Sequence, residues 1–96
     1  MYVIVWEFQA REGCEAELIN ANRPEGAWGR FFRKAQGYLG SELLRDTRRF
    51  VTIDRWTSRE AYDAFRASHA AEYQEIDRQL ERLTEHEHHI GSFESA

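Results

Sequence analysis

The chain carries one cysteine, one proline and one methionine among its 96 residues. With Cys14 alone, no internal disulfide can form, and at the start of a helix it reads as a spectator. Long apolar runs are missing as well. The stretch Tyr2–Trp6 is far too short for a signal core or a membrane span, and no basic segment precedes it. A soluble, cytoplasmic protein without membrane contact is the expectation. An excess of positive charge is also lacking. Thirteen Lys and Arg against 17 Asp and Glu give a net charge of −4, which argues against a nucleic-acid surface. Arg30, Arg33 and Lys34 do cluster, but among Phe31 and Phe32 they read as the solvated side of a helix.

What the chain does have is apolar and aromatic content, 42% and 14%, enough for a folded globular core. Its length suits a single domain over residues 1–96. The run Tyr2–Phe8 is rich in β-branched and aromatic residues and predicts a strand, with Tyr2, Ile4, Trp6 and Phe8 on one face. Glu12-Gly13 closes it. A helix follows from Cys14 to Ala21, and a second is predicted over Pro24–Ala35, where Ala27, Trp28, Phe31, Phe32 and Ala35 form an apolar stripe. Gly37 reads as its C-terminal stop. Tyr38–Arg45 and Arg49–Trp56 predict a hairpin turning at Asp46-Thr47-Arg48. Thr57 and Glu60 have the spacing of a capping box for a helix that turns Ala61, Tyr62, Ala64 and Phe65 inward. A longer helix after Ser68-His69 places Tyr73, Ile76, Leu80 and Leu83 on one side. The strand Glu85–Phe93 ends the series, with Gly91 as a bulge or bend.

The order is therefore strand, helix, strand, strand, helix, strand, an α+β arrangement. Right-handed crossovers place both helical layers on one face of a four-stranded sheet. Yet Tyr2–Trp6 is apolar on both sides, as are the strands carrying Leu39, Leu43, Leu44, Val51 and Ile53. Strands of that kind are normally covered on both faces. A second copy of the chain is the expected cover, giving a homodimer through the sheet face.

Four segments together resemble the antibiotic biosynthesis monooxygenase family: Gly37–Leu44, Ile53–Ser58, Ala61–Phe65 and Glu87–Phe93. That resemblance implies a ferredoxin-like βαββαβ fold with a four-stranded antiparallel sheet, paired into a dimeric α/β barrel. It also implies cofactor-free oxidation of an aromatic or quinol-type small molecule. Members that oxidise aromatic polyketides line their cavity with a Trp at a strand end and a Tyr six residues later, a spacing matched by Trp56 and Tyr62. Where those members carry Asn four residues before the Trp, this chain has Thr52. The haem-degrading branch is matched poorly. Glu7, Phe65 and Glu75 stand where it has Asn, Trp and the ligating His.

The candidate chemistry follows from these positions. Tyr62 is the candidate orienting donor, and Trp56, Phe65, Tyr73 and Thr52 the substrate-binding walls. His69 is the candidate general base, since histidine titrates near neutrality. Each has a plainer counterpart: Trp56 as a corner of the core, His69 as the start of a helix. His86, His88 and His89 form a cluster without the His-Glu-x-x-His spacing of a helical zinc site, so neither metal nor haem is expected. Asp54 and Glu42 read as partners of Arg45 or Arg55 across the sheet. A non-catalytic dimeric ligand-binding or accessory domain is the alternative function.

Overall fold

In a computed structural model covering Met1–Ala96, β1 spans Tyr2–Ala10 and lies inside the sheet, where its two-sided apolar sequence belongs. The sheet order is β2-β3-β1-β4, antiparallel throughout, with β2 at Tyr38–Asp46, β3 at Arg49–Trp56 and β4 at Thr84–Glu94. Helices α1 (Glu15–Ala21) and α2 (Ala27–Phe32) join β1 to β2. Helices α3 (Arg59–Ser68) and α4 (Ala70–Leu80), with a 3-10 turn at Glu81–Leu83, join β3 to β4. This is the α+β order that the residue pattern predicts and the ferredoxin-like fold that the resemblance implies. No helix is long and apolar enough to cross a membrane.

Register decides which side chains meet the helices. Tyr2 pairs with Trp56, Ile4 with Asp54, Trp6 with Thr52 and Phe8 with Phe50. Two apolar clusters hold the helices to that inner face. Tyr2, Ile4, Phe31, Trp56 and Phe65 form one, at the β3–α3 corner. Ala10, Leu18, Phe50 and Leu83 form the other, at the opposite strand ends. Burying an aromatic or aliphatic side chain of this kind contributes about 1.5–3 kcal/mol. The Trp6–Thr52 pair lies between the clusters.

Several local expectations shift. The helix predicted from Pro24 starts at Ala27, because Arg23–Gly26 makes a turn, closed by Gly26 N–H donating to the Arg23 carbonyl at 2.9 Å. It ends at Phe32 and tightens into turns through Ala35. Gly37 is not the helix stop. It lets β2 approach α3, where a side chain would strike the Cβ of Ala61, and its carbonyl accepts from Thr57 N–H at 2.7 Å. The capping box is displaced by one residue. Ser58 is the N-cap, its hydroxyl accepting from Ala61 N–H at 3.1 Å, so Glu60 lies one position too early to reciprocate. Of two register shifts between β4 and β1, one falls on Ile90, next to Gly91.

The outer face of the sheet is left bare. Val3, Val5, Val51 and Ile53 point there, with Leu44 and Phe93 beside them, 49% and 52% exposed. Ion pairs border the patch, Arg55 to Glu42 at 2.6 Å and Arg49 to Glu7 at 3.2 Å.

Candidate active site

Between the two clusters the inner face of the sheet and the helices leave a cleft. Its floor is Ile4, Trp6 and Phe8 of β1 with Thr52 and Asp54 of β3. Its roof is Trp28, Gly29 and Phe32 of α2, Tyr62 of α3 and Tyr73 of α4. The cleft spans about 700 Å³ including its open mouth, a size at which small-molecule sites hold an organic ring. Gly29 lets α2 pack closely on the preceding loop, since a Cβ there would lie 2.2 Å from the Arg23 carbonyl oxygen.

The walls are aromatic and the polar groups few. Trp28 stacks on Phe32 with centroids 5.6 Å apart and lies 5.1 Å from Tyr73. Arg66 sets the two roof tyrosines. Its guanidinium stands 3.5 Å over the Tyr73 ring and donates to the Tyr62 hydroxyl oxygen at 2.8 Å. Tyr62 thus accepts from Arg66 and keeps its own O–H for a ligand. Burial raises the pKa of Tyr62, partly offset by Arg66, and pushes Tyr73 up to about 12, so both stay protonated donors at neutral pH.

The cleft also holds three carboxylates and no Lys, Arg or His. Asp54 Oδ1 accepts from Ser41 Oγ at 2.5 Å, and Ser41 Oγ lies 2.5 Å from the Tyr38 hydroxyl. Burial raises the Asp54 pKa, with the Ser41 hydrogen bond opposing. Glu87 and Asp77 complete the set. Burial and then the nearby Asp77 charge raise Glu87, while the Thr84 hydroxyl, donating at 3.3 Å, lowers it.

Of the residues the sequence singles out, Tyr62, Tyr73 and Thr52 line the cleft together. Trp56 and Phe65 stand behind it in the core, 1% and 7% exposed. His69 does not border it. Its ring stacks on Phe65 at 4.3 Å and meets the edge of Phe31 at 6.1 Å. Its Nδ1 lies 3.2 Å from the Phe65 carbonyl oxygen, one helical turn back. His89 packs on Trp6 at 5.0 Å and hydrogen-bonds Ser92, while His86 and His88 face outward opposite Gln9 and Glu7. No three His, Cys, Asp or Glu side chains are grouped to hold a metal ion. Glu42 does pair with Arg55, but Asp54 faces the other way and takes no arginine. Its inward position was legible from alternation with Thr52 and Trp56.

An antiparallel sheet in this order, with helices on one face and a cleft between the layers, defines a ferredoxin-like α+β domain. Residues 1–79 match the sequence model of the antibiotic biosynthesis monooxygenase family, and the chain belongs to that family. Among solved structures it is similar to SnoaB, a cofactor-independent oxygenase from Streptomyces nogalater, at TM-score 0.75 and 22% identity over 99% of this chain and 92% of that one. A protein of Deinococcus radiodurans named for the same family matches at TM-score 0.76 and 15% identity, over 100% and 93%. One from Nitrosomonas europaea gives 0.73 and 15%, over 99% and 98%. At these identities the likeness is one of fold. No curated protein matches the sequence.

Proposed function

We propose that the chain, as one domain over residues 1–96, is a cofactor-independent monooxygenase of an aromatic or quinol-type small molecule, bound between sheet and helices. The observation that carries this reading, beside family membership, is the aromatic cleft in which Tyr62 presents an uncommitted O–H. The chemistry asks little of the protein. An electron-rich substrate, once deprotonated, reduces dioxygen itself. For a methylene beside the ring, one oxygen atom becomes the new carbonyl, and the other leaves as water with the two hydrogens. The protein supplies orientation, a proton acceptor and exclusion of water. Tyr62 orients the substrate, Tyr73 and Thr52 bound it, and Trp56 and Phe65 back the wall. We further read the bare outer sheet face as a self-interface, making the active species a homodimer.

Replacing Tyr62 with Phe tests the orienting role, because it removes only the hydroxyl. Turnover of an accepted anthrone or quinol should fall about ten- to a hundredfold, about 1.4–2.7 kcal/mol. The stability change should stay within about 1 kcal/mol, that of the lost Arg66 hydrogen bond. Unchanged turnover would remove Tyr62 from the mechanism.

Charge gives a second test. A cleft whose lining carries three carboxylates, against the single Arg66 guanidinium behind Tyr62 and Tyr73, disfavours anions. A neutral hydroxylated anthrone should therefore bind at least about tenfold more tightly than its ring-carboxylated analogue, a difference of about 1.4 kcal/mol. Preference for the acid, measured by tryptophan fluorescence quenching, would contradict this.

A further inference from the structure

With His69 stacked behind Phe65, the cleft needs another group to take the substrate's proton. Three carboxylates border it, in unlike settings. Asp77 lies on an exposed position of α4 and Glu87 on an exposed position of β4. Asp54 lies in the floor, half-buried, between the buried Thr52 and Trp56. Its Oδ1 is held by Ser41, and Ser41 Oγ is 2.5 Å from the Tyr38 hydroxyl. Ser41 and Tyr38 have a second exposure. Both also border an adjoining outer cleft, which shares Asn22 and Gly29 with the first and adds Arg33, Leu39 and Gly40. A continuous line of oxygens thus runs from the floor of the cavity to the outside of the domain.

The geometry points to Asp54 as the catalytic base of the cleft, with the Ser41 and Tyr38 hydroxyls as the outlet for the proton it takes. The assignment rests on the reading of the cleft as a site for electron-rich aromatics. In the forward step the O–H of the bound neutral substrate, or a C–H beside its ring, breaks. The electron pair stays on the substrate and the proton bonds to the Asp54 carboxylate. On return, Asp54 gives a proton to Ser41 Oγ as Ser41 gives its own to the Tyr38 oxygen. Tyr38 then gives its own to water in the outer cleft. The carboxylate is restored and no atom is left over. Burial raises the pKa of Asp54, which makes it a stronger base than an exposed aspartate. Tyr38 and Ser41 of β2, Tyr62 of α3, Tyr73 and Asp77 of α4, and Glu87 of β4 share its cavity. Arg33 lies beyond Tyr38 in the outer cleft, and Arg66 beyond Tyr62.

The test isolates proton transfer from oxidation by working under argon in deuterated buffer with dithranol, a hydroxylated anthrone whose methylene beside the rings exchanges its hydrogens when a base removes one. The whole chain is mixed with it across about pH 5 to about pH 9, and the exchange is followed by mass spectrometry. The wild type should speed the exchange of bound dithranol at least about tenfold over buffer. Asp54→Asn should bind it and show no acceleration. Ser41→Ala should keep the exchange but move its acid limit to higher pH, because the hydrogen bond it loses favours the carboxylate.

Folding of the Asn variant is checked by its Tm at neutral pH, expected to rise. A raised folded pKa means that the stability linked to Asp54 is present at low pH and lost as pH rises through that pKa. Removing the carboxylate therefore gains Tm at neutral pH and nothing in acid. Exchange as fast in Asp54→Asn as in the wild type overturns the base assignment alone. A lower Tm in that variant marks Asp54 as a structural carboxylate and also overturns it. Failure of the wild type to bind dithranol overturns the reading of the cleft, and the base assignment with it.

Discussion

Trp56→Ala is expected to lower the free energy of unfolding by about 3–5 kcal/mol, the cost of removing a buried Trp from a core that cannot close over the hole. Four rings meet this indole: Tyr62 at 5.1 Å, Tyr38 at 5.3 Å, Phe65 at 5.7 Å and Phe32 at 5.8 Å. They come from α2, β2 and α3, so truncation loosens every element at the β3–α3 corner together. A domain of this size is stable by only about 5–15 kcal/mol, and the variant should be partly unfolded near body temperature. Urea unfolding followed by circular dichroism gives the value, with the m-value checking that the transition remains two-state. A loss under about 1 kcal/mol would mean that the indole faces a space able to refill, as a substrate wall would.

Ile53→Glu is expected to turn a homodimer into a folded monomer. Ile53 is on the outer face of β3, opposite Val5 on one side and Glu42 on the other. In a two-fold dimer each substitution occurs twice, so two carboxylates would be buried without partners. The arginine alongside is already taken, since Arg55 holds Glu42 at 2.6 Å. Burying an unpaired ion costs several kcal/mol, so the dissociation constant should rise about a thousandfold or more, about 4 kcal/mol. Light scattering at micromolar concentration should show about twice 11.4 kDa for the wild type and 11.4 kDa for the variant, with unchanged far-ultraviolet dichroism. A monomeric wild type, or a variant that stays dimeric, would contradict the self-interface.

The strands were legible because their signal is local and strong. Alternation in Tyr2–Phe8 and Arg49–Trp56 sets which face each residue takes, and the observed register follows it. Helix ends were less legible. Thr57 and Ser58 are both capping residues, and the choice of Ser58 depends on Gly37 drawing Thr57 N–H into a bond with β2, a tertiary contact. Tyr62 and Tyr73 were found on the cleft because helical spacing turns them inward with Phe65. His69 shares that inward side, but its ring lies against Phe65 and out of the cleft, and spacing says nothing about depth. Asp54 shows the opposite failure. Alternation with Thr52 and Trp56 already turned it inward, yet a carboxylate on a strand suggested a cross-strand arginine. Arg66 carried no signal, because its role depends on the distance between α3 and α4.

The proposed reaction in the cleft is oxidation of an electron-rich aromatic by dioxygen and nothing else. The direct measurement is oxygen uptake by chelator-treated, flavin-free protein against hydroxylated anthrones and quinols, with isotopically labelled dioxygen. We predict uptake above the uncatalysed rate for at least one neutral substrate, with one labelled oxygen atom in its product and the other in water. Uptake no faster than in buffer across the panel, although the same compounds bind in the cleft, would rule out oxidation there and favour a ligand-binding domain.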